Sequence, residues 1–276
     1  MTKFTRRFLI IFIVEVMFFP LFCSGLLMAK DVLVVNTYPS VAYINEQGEV
    51  DGPVAAVIRE VCRRMGQRVK FTFTPIQRMF ERLKYREADA AFNMSYNEER
   101  AKKWYYSKPV HRVFYSVFTL KSHPLNYQSR NNLKGYTIVT YGPTNMSKKV
   151  EKFAAKIPGA KVIILHNYET AFRMLAAGRF GEKTVVYAPD TIGFGVLKKL
   201  DLKNHIRFAG NDIKNLYYVV FVKDIMEKSF VDEFNRVLMK VHADGKMAEI
   251  YKRYTGDIQS TPPSQEDMIT FPPHSQ

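Results

Sequence analysis

Short β-branched runs that alternate with amphipathic helical patterns constrain the fold of this chain more than any other feature. Residues 32–36 have the pattern of a strand, and apolar residues recur at helical spacing over residues 54–65. Gly52 and Pro53 are typical of a helix start, and Gly66 is typical of a helix end. The same unit recurs further along the chain. This alternation predicts an α/β protein with a mainly parallel sheet.

The alternation is interrupted once, over the polar, turn-rich residues 123–132, which offer few apolar side chains to a core. A second α/β set follows over residues 137–200, and a further β run at 217–222 leads into two helical segments. The interruption predicts a boundary between two lobes. Residues 257–276 contain four prolines and little periodicity, which predicts a flexible tail.

The N-terminus has the order of a secretory signal peptide. Basic residues precede an apolar run at 8–22, and small residues follow it at Ser24, Gly25 and Ala29. The apolar run contains Glu15 and is shorter than the roughly 20 residues that a spanning helix needs. We therefore predict that residues 1–29 are a signal peptide and that the protein is periplasmic, with an uncleaved membrane anchor as the alternative.

The chain is basic, with 41 Lys and Arg against 26 Asp and Glu and a formal charge of +15. Such a balance suits nucleic acid, membrane surfaces or anionic ligands. The basic residues are interleaved with acidic ones and form no continuous tract, so nucleic acid is not an expected partner. Beyond residue 29, Cys62 is the only cysteine, so the exported chain is expected to fold without an internal disulfide.

Short sequence phrases occur in a fixed order along the exported part of the chain. They are DAA at 89–91, MSYNEERA at 94–101, SKP at 107–109, NLKG at 132–135, YETA at 168–171, AGR at 177–179, ADGKM at 243–247 and IY at 250–251. Together, in this order and at these distances, they resemble the family-3 periplasmic solute-binding proteins, the amino-acid-type receptors of bacterial ABC importers. The resemblance covers nearly the whole exported chain.

The resemblance implies a type II periplasmic-binding-protein architecture, in which two lobes joined by two hinge strands close on a ligand in the central cleft. Lobe 1 is expected to contain residues 30–120 and 215–256, and lobe 2 residues 121–214, with hinge strands near Leu120 and Leu216. The expected partners are a small polar ligand, such as an amino acid or related carboxylate, and an inner-membrane ABC permease. A monomer is expected.

Arg100 matches the family's arginine that grips the ligand carboxylate, and its planar fork of donors suits that task. Ser95 and Asn93 follow a strand, at the end where open α/β sheets bind ligands. Tyr38 and Tyr43 flank the place where the family stacks aromatic rings on its ligand. The alternatives are a solvated helical arginine, ordinary turn residues, and aromatic rings of the core or surface.

Lobe 2 is expected to contribute Thr144, Asp190 and Tyr141. Thr144 lies in the family's loop before a helix, and Asp190 lies one residue after the position of the aspartate that pairs with the ligand ammonium group. Both residue types also cap helices, which is the alternative. Tyr141 is expected to stack on the ligand from this side. In lobe 1, the segment ending at Arg78 resembles a sub-group with a second arginine, which favours an anionic ligand.

No histidine pair has metal-ligand spacing, and no Gly-rich phosphate loop or nucleophile motif occurs, so neither a metal nor a cofactor is expected. The resemblance leaves two alternatives open. One is a periplasmic dehydratase-like enzyme in which Glu169 or Asp190 assists the loss of water. The other is a ligand-sensing receptor without transport.

Overall fold

The structure, a computed structural model, describes residues 31–39, 42–254 and 261–270, so the predicted signal peptide at 1–29 lies outside the described residues. The strands are β1 (Val32–Thr37), β2 (Tyr43–Ile44), β3 (Val50–Asp51), β4 (Arg68–Phe73), β5 (Ala90–Ser95), β6 (Trp104–Leu120), β7 (Thr137–Tyr141), β8 (Lys161–Leu165), β9 (Thr184–Pro189) and β10 (Ile206–Val222). The α-helices are α1 (Pro53–Met65), α2 (Ile76–Lys84), α3 (Glu98–Ala101), α4 (Asn145–Ala154), α5 (Tyr168–Ala176), α6 (Asp190–Lys199), α7 (Lys228–Ala243), α8 (Lys246–Lys252) and α9 (Gln265–Ile269).

Eight of these strands form one sheet in the order β4-β1-β5-β10-β6-β9-β7-β8, and β2 and β3 form a separate ribbon. At one end β1 pairs in parallel with β4 and β5, and at the other β7 pairs in parallel with β8 and β9. The two 17-residue strands β6 and β10 pair antiparallel with each other between these ends. The predicted α/β class is confirmed, and the sheet is parallel at its two ends and antiparallel where β10 pairs with β5 and β6 and where β6 pairs with β9.

Helix α1 shows how the sequence pattern produces the local structure. Pro53 occupies its first turn, where the missing N–H is not needed, and Gly66 ends it in the left-handed conformation with a φ of 70°. The face with Val54, Ile58 and the residues at helical spacing from them is fully buried. Its packing against β1, β5 and α7 fixes the carboxyl ends of the strands that reach the site described below.

The buried side chains divide into two halves along the sheet. One set is built around Phe92, Phe221 and Phe234 from residues up to 110 and from 218 onward, which we call the first half. The other set is built around Phe118 and Tyr187 from residues 113–217, which we call the second half. The chain passes between the halves through β6 and β10, and these are the hinge strands that the two-lobed architecture requires.

The position of the first crossing differs from the expected one. Val110 belongs to the core of the first half and Val113 to that of the second, whereas Leu120, the expected boundary, already packs against the second-half core. The turn-rich segment after residue 120 therefore connects two elements within the second half. β6 continues through the crossing as one strand, with a β-bulge where Tyr217 and Tyr218 pair with His111 and Pro109, and no turn marks the boundary for the sequence pattern.

The prediction of a flexible tail is wrong for residues 261–270. Thr261 forms a β-bridge with Arg112, and helix α9 follows it. Met268 is fully buried in the first-half core, and the Asp267 side chain is 1% exposed and paired with Lys214. The buried side chains of Met268 and Asp267 are among its anchors, and two isolated positions produce no periodic sequence signal.

Truncating the buried anchor of this segment should destabilise the protein. We expect Met268→Ala to lower the free energy of unfolding by about 2–4 kcal/mol, because the change removes buried methylene groups and leaves a cavity. The neighbouring Ile269 is 63% exposed, so Ile269→Ala serves as the matched control and should change stability by less than about 0.5 kcal/mol. Urea unfolding followed by circular dichroism measures both. Equal effects of the two variants would contradict the docking of this segment.

None of the helices within the described residues is both long enough and apolar enough to cross a membrane. Cys62 is buried as a free thiol in the first-half core. The folded part that the structure describes is therefore held together by packing and polar contacts around its two sets of core side chains.

Candidate ligand-binding cleft

Several predicted residues lie where strands of the two halves end beside the hinge strands. Tyr38 follows β1, and Asn93 and Ser95 lie in the last part of β5. From the second half, Tyr141 ends β7 and Asp190 follows β9. The carboxyl ends of parallel strands are the edge at which open α/β sheets bind ligands. The topology thus brings these two sets of residues to one region between the halves.

Arg100 is the clearest candidate for a ligand contact. The backbone N–H of Arg100 donates to Asn97 Oδ1 at 3.0 Å, which starts the short helix α3 and fixes the position of the side chain. Its guanidinium carbon lies 4.9 Å from the ring centroid of Phe80, and Phe80 in turn stacks on Trp104. The aromatic face supports the cation from one side and leaves its N–H donors free.

The charge of Arg100 has no acidic partner among the described residues. The side chain is partly buried, and this burial lowers the pKa of its guanidinium, while the nearby Tyr106 and Tyr38 are the groups that oppose the shift. Within the described part of the chain, no carboxylate forms an ion pair with it. A partly buried cation without a counter-ion is well suited to receive an anionic group.

A group of five tyrosines lines the same region, and we call it the tyrosine group: Tyr38, Tyr115, Tyr141, Tyr168 and Tyr217. The Tyr141 and Tyr168 ring centroids are 5.4 Å apart, and the hydroxyls of Tyr115 and Tyr217 are 3.1 Å apart. Tyr38 comes from the first half, and Tyr217, Tyr141 and Tyr168 are near enough to contribute to its raised pKa. Tyrosines of both halves therefore lie in one region.

Burial is the main cause that raises the pKa values of four members of the group, Tyr38, Tyr115, Tyr168 and Tyr217. Their phenols stay protonated near neutral pH and act as neutral donors and ring surfaces. The Tyr38 hydroxyl already donates to the backbone carbonyl of Asn93 at 3.0 Å. Because this hydroxyl is already hydrogen-bonded, a ligand would contact Tyr38 mainly through its ring face.

Asn93 and Ser95 lie in the region where the sequence places them. Asn93 is buried with a φ of 66°, a conformation that asparagine adopts more readily than most residues. Its amide nitrogen lies 3.5 Å from Thr37 Oγ1, and its Oδ1 is buried without a hydrogen-bond partner in the described part of the chain. Ser95 pairs with Tyr217 across β5 and β10, so it lies beside the tyrosine group.

Asp190 is the acidic member of the site. Burial, the largest influence, raises the pKa of its carboxyl, while the hydrogen bond from the backbone N–H of Thr191 at 2.7 Å and the charge of Arg112 oppose the shift. Tyr217 lies near enough for the Asp190 charge to raise its pKa. Pro189 is the N-cap residue of α6, so Asp190 occupies its first turn and the predicted N-cap alternative is wrong by one position.

Thr144 acts as a helix cap. Its Oγ1 accepts a hydrogen bond from the backbone N–H of Ser147 at 3.0 Å, and Ser147 Oγ accepts one from the backbone N–H of Thr144 at 2.9 Å. This reciprocal pair is the capping alternative that the sequence left open. Ligand contact by Thr144 remains a prediction.

The structure does not bring Arg78 or Tyr43 into this region. Arg78 is exposed on α2, where its guanidinium pairs with Glu81 at 3.1 Å and Glu87 at 3.5 Å. The face of α2 that packs inward carries Met79 and Leu83, so the adjacent position points to solvent. Tyr43 lies in the β2–β3 ribbon beside Tyr254. Ligand contact by Arg78 or Tyr43 remains a prediction that these contacts do not support.

Sequence reasoning missed residues that the hinge strands bring to the site. Tyr115 and Tyr217 lie on β6 and β10, and Tyr168 begins α5. In a chain with 16 Tyr and 21 Phe, nothing in the local pattern distinguishes these rings from core residues. The one available signal was the expected hinge near Leu216, which is adjacent to Tyr217.

The hinge also contains a buried histidine. His111 stacks between Tyr217 and Tyr251, with ring centroids 6.2 Å and 6.0 Å away, and burial lowers its pKa to about 3. This imidazole is therefore neutral at physiological pH. In the described part of the chain, no three or more His, Cys, Asp or Glu side chains are grouped so that they could hold a metal ion.

Comparison with known proteins identifies relatives over most of this chain. Residues 31–257 match the family model of bacterial extracellular solute-binding proteins, family 3. The L-cystine-binding protein TcyA of Bacillus subtilis is 25% identical over 233 residues, which are 83% of this chain and 82% of TcyA.

Solved structures confirm the fold. A structure from a study of glutathione import via GshT and the cystine ABC importer TcyBC of Streptococcus mutans superposes with a TM-score of 0.69, at 21% identity over 86% of this chain and 99% of its own. A histidine kinase sensor domain with similarity to periplasmic binding proteins gives a TM-score of 0.68, at 21% identity over 84% of this chain and 98% of its own.

Proposed function

This chain belongs to the bacterial extracellular solute-binding proteins, family 3, and from that membership we propose that it binds an α-amino acid or a related small carboxylate between its two halves and delivers it to an ABC-type importer. The proposal includes export by residues 1–29, action as a monomer in the periplasm, and binding without chemical conversion. TcyA, a relative over most of its length, is an L-cystine-binding protein, which supports an amino-acid ligand.

One observation carries the proposal: Arg100, a partly buried cation without an acidic partner in the described chain, lies near the tyrosine group and on the opposite half from Asp190. A ligand carboxylate would form an ion pair with Arg100, and a ligand ammonium group would form one with Asp190. The tyrosine rings would enclose the body of the ligand. A ligand that joins the two charges holds the halves together, which is the basis of hinge closure.

The enzyme alternative is less well supported. Glu169, one of its two candidate acids, is paired with Lys199 at 2.6 Å on the surface of the second half. Asp190 then remains as the single candidate acid. The sensing alternative shares the fold, as the histidine kinase sensor domain illustrates. A transport receptor and a sensing receptor would both bind a small carboxylate.

A ligand screen tests the proposal. We expect the melting temperature of the purified protein to rise with the concentration of one or more L-amino acids, by roughly 5–10 °C at about 100 times Kd, because the ligand binds only the native state. Keto acids, dicarboxylates and inorganic anions complete the panel. Amines without a carboxylate, such as agmatine for L-arginine, are the matched control and should give no shift. A panel without any carboxylate-dependent shift would contradict the proposal, and turnover of a bound compound would favour the enzyme.

A further inference from the structure

The C-terminal segment 261–270 lies across the point where the chain passes from one half to the other. The backbone N–H of Arg112 on β6 donates to the Thr261 carbonyl at 3.2 Å. The Pro263 carbonyl contacts His242 Nε2 at 3.0 Å, and Met268 is buried in the first-half core. The segment is therefore fixed to the first half, and it reaches a hinge strand.

Asp267 connects this segment to both hinge strands. Its Oδ1 lies 2.6 Å from Lys214 Nζ on β10, and its Oδ2 lies 3.7 Å from Arg112 Nη1 on β6. Oδ2 also accepts a hydrogen bond from the Ser264 backbone N–H at 2.9 Å. Although burial opposes ionisation, the bonds from Lys214 and Ser264 keep the pKa of this carboxyl below its usual value. A buried carboxylate thus holds one basic residue from each hinge strand.

Arg112 lies between this carboxylate and the acidic member of the binding site. Tyr115 of β6 pairs with Pro189 of β9, so Asp190 follows directly beside Phe114, which is two residues, or roughly 7 Å, further along β6 than Arg112. That distance is within reach of an arginine side chain. The Nε of Arg112 is buried and has no hydrogen-bond partner in the described chain, so this N–H of the guanidinium is an unused hydrogen-bond donor. Tyr217 is a further ionisable group close to Asp190, whose charge raises the pKa of this tyrosine.

We propose that Asp267 is a positioning residue for ligand binding, which holds the Arg112 guanidinium at the hinge and so keeps the Asp190 carboxylate free for the ammonium group of an α-amino acid. The inference rests on the proposed function of the same site. If the Asp267 charge is removed, Arg112 is left with Asp190 as its nearest acidic partner, because a partly buried guanidinium without a counter-ion is unfavourable. Arg112 then competes with the ligand for Asp190.

The readout is the preference for an amine, measured as the ratio of two dissociation constants. Calorimetry on the full chain compares L-glutamine with glutaramic acid and L-arginine with 5-guanidinopentanoic acid, pairs that differ only by the α-amino group. Wild type should prefer the amino acid in a pair that it binds. Asp267→Asn should lower this preference by roughly tenfold, while the affinity for the analogue without the amine changes by less than about twofold.

Two variants serve as controls for the Asp267 carboxylate. Lys214→Gln removes the other partner of Asp267 but leaves the contact with Arg112, so the amine preference should stay within about twofold of wild type. Arg112→Gln/Asp267→Asn removes both members of the pair, which is better tolerated than removing one. This double variant should recover the amine preference, and it remains informative if the single Asp267 variant fails to fold.

Three results would overturn the positioning role. The first is an unchanged amine preference in Asp267→Asn. The second is an equal loss of affinity for both members of a pair, which would indicate a general effect on the hinge. The third is a double variant that also lacks the preference. If wild type binds no carboxylate at all, the proposed function fails as well; if it binds carboxylates without preferring the amine, only the positioning role fails.

Discussion

Arg100→Ala is expected to weaken binding of the amino-acid ligand by roughly 100-fold or more, about 3 kcal/mol. The ligand carboxylate would enter a partly buried region where Arg100 is the cation without an acidic partner, and alanine leaves that carboxylate desolvated and unpaired. Isothermal titration calorimetry with the best compound of the ligand screen measures the change. Arg100→Lys keeps the charge but lacks the planar fork, so it should recover only part of the affinity.

Arg78→Ala is the matched control for this prediction. Arg78 is also an arginine of the first half, but it is exposed and pairs with Glu81 and Glu87. Its removal should change the dissociation constant by less than about twofold, because exposed ion pairs contribute little. A similar loss of affinity in the two variants would indicate attraction by overall charge. Unchanged affinity in Arg100→Ala would show that the carboxylate binds elsewhere.

Asp212→Ala is expected to have the largest effect on stability, about 3–5 kcal/mol. The Asp212 side chain is 6% exposed and binds Arg130 through two nitrogens, with a shortest distance of 2.8 Å. The hydroxyls of Tyr127 and Tyr187 donate to the two carboxylate oxygens at 2.6 Å each. Alanine leaves these three donors without their shared acceptor, and the loss of a partner to a partly buried charge is costly.

The pH dependence of stability offers a second test of this carboxylate. Burial alone would raise the pKa of Asp212, but the hydrogen bonds from Arg130, Tyr127 and Tyr187 lower it below the usual value. A lowered native pKa contributes stability that is fully present above the unfolded value of about 3.9 and is lost as the pH falls through the native value. The difference in stability between wild type and Asp212→Ala should therefore shrink below about pH 4.

Asp232→Ala is the control, because Asp232 pairs with Lys228 on the exposed surface of α7. We expect a change of less than about 1 kcal/mol, with little dependence on pH. Urea unfolding between pH 3 and pH 8 measures the free energy of unfolding of all three proteins. Comparable destabilisation by the two substitutions would show that the Asp212 network does not hold the second half together.

The sequence predicts some residues of the cleft and misses others. Asn93 and Ser95 lie in the last part of β5 and Tyr38 follows β1, and the structure brings them together because these parallel strands end at one edge. Helical spacing alone does not reveal that Arg78 lies on the exposed face of the short helix α2, where it pairs with Glu81 and Glu87. Tyr115 and Tyr217 were missed because the strands that carry them continue through the hinge, where no turn or cap marks the change of core.

By itself, the sequence determined the α/β class, the order of the elements and the family, since these depend on local periodicity, caps and short phrases along the chain. Only the tertiary structure decided where the chain crosses between the halves, which tyrosines meet, and that residues 261–270 are anchored. These features depend on contacts such as that of Asp267 with Arg112, 155 residues apart in the numbering. Pairing over such separations depends on how the packed halves meet, and it leaves no periodic trace in the sequence.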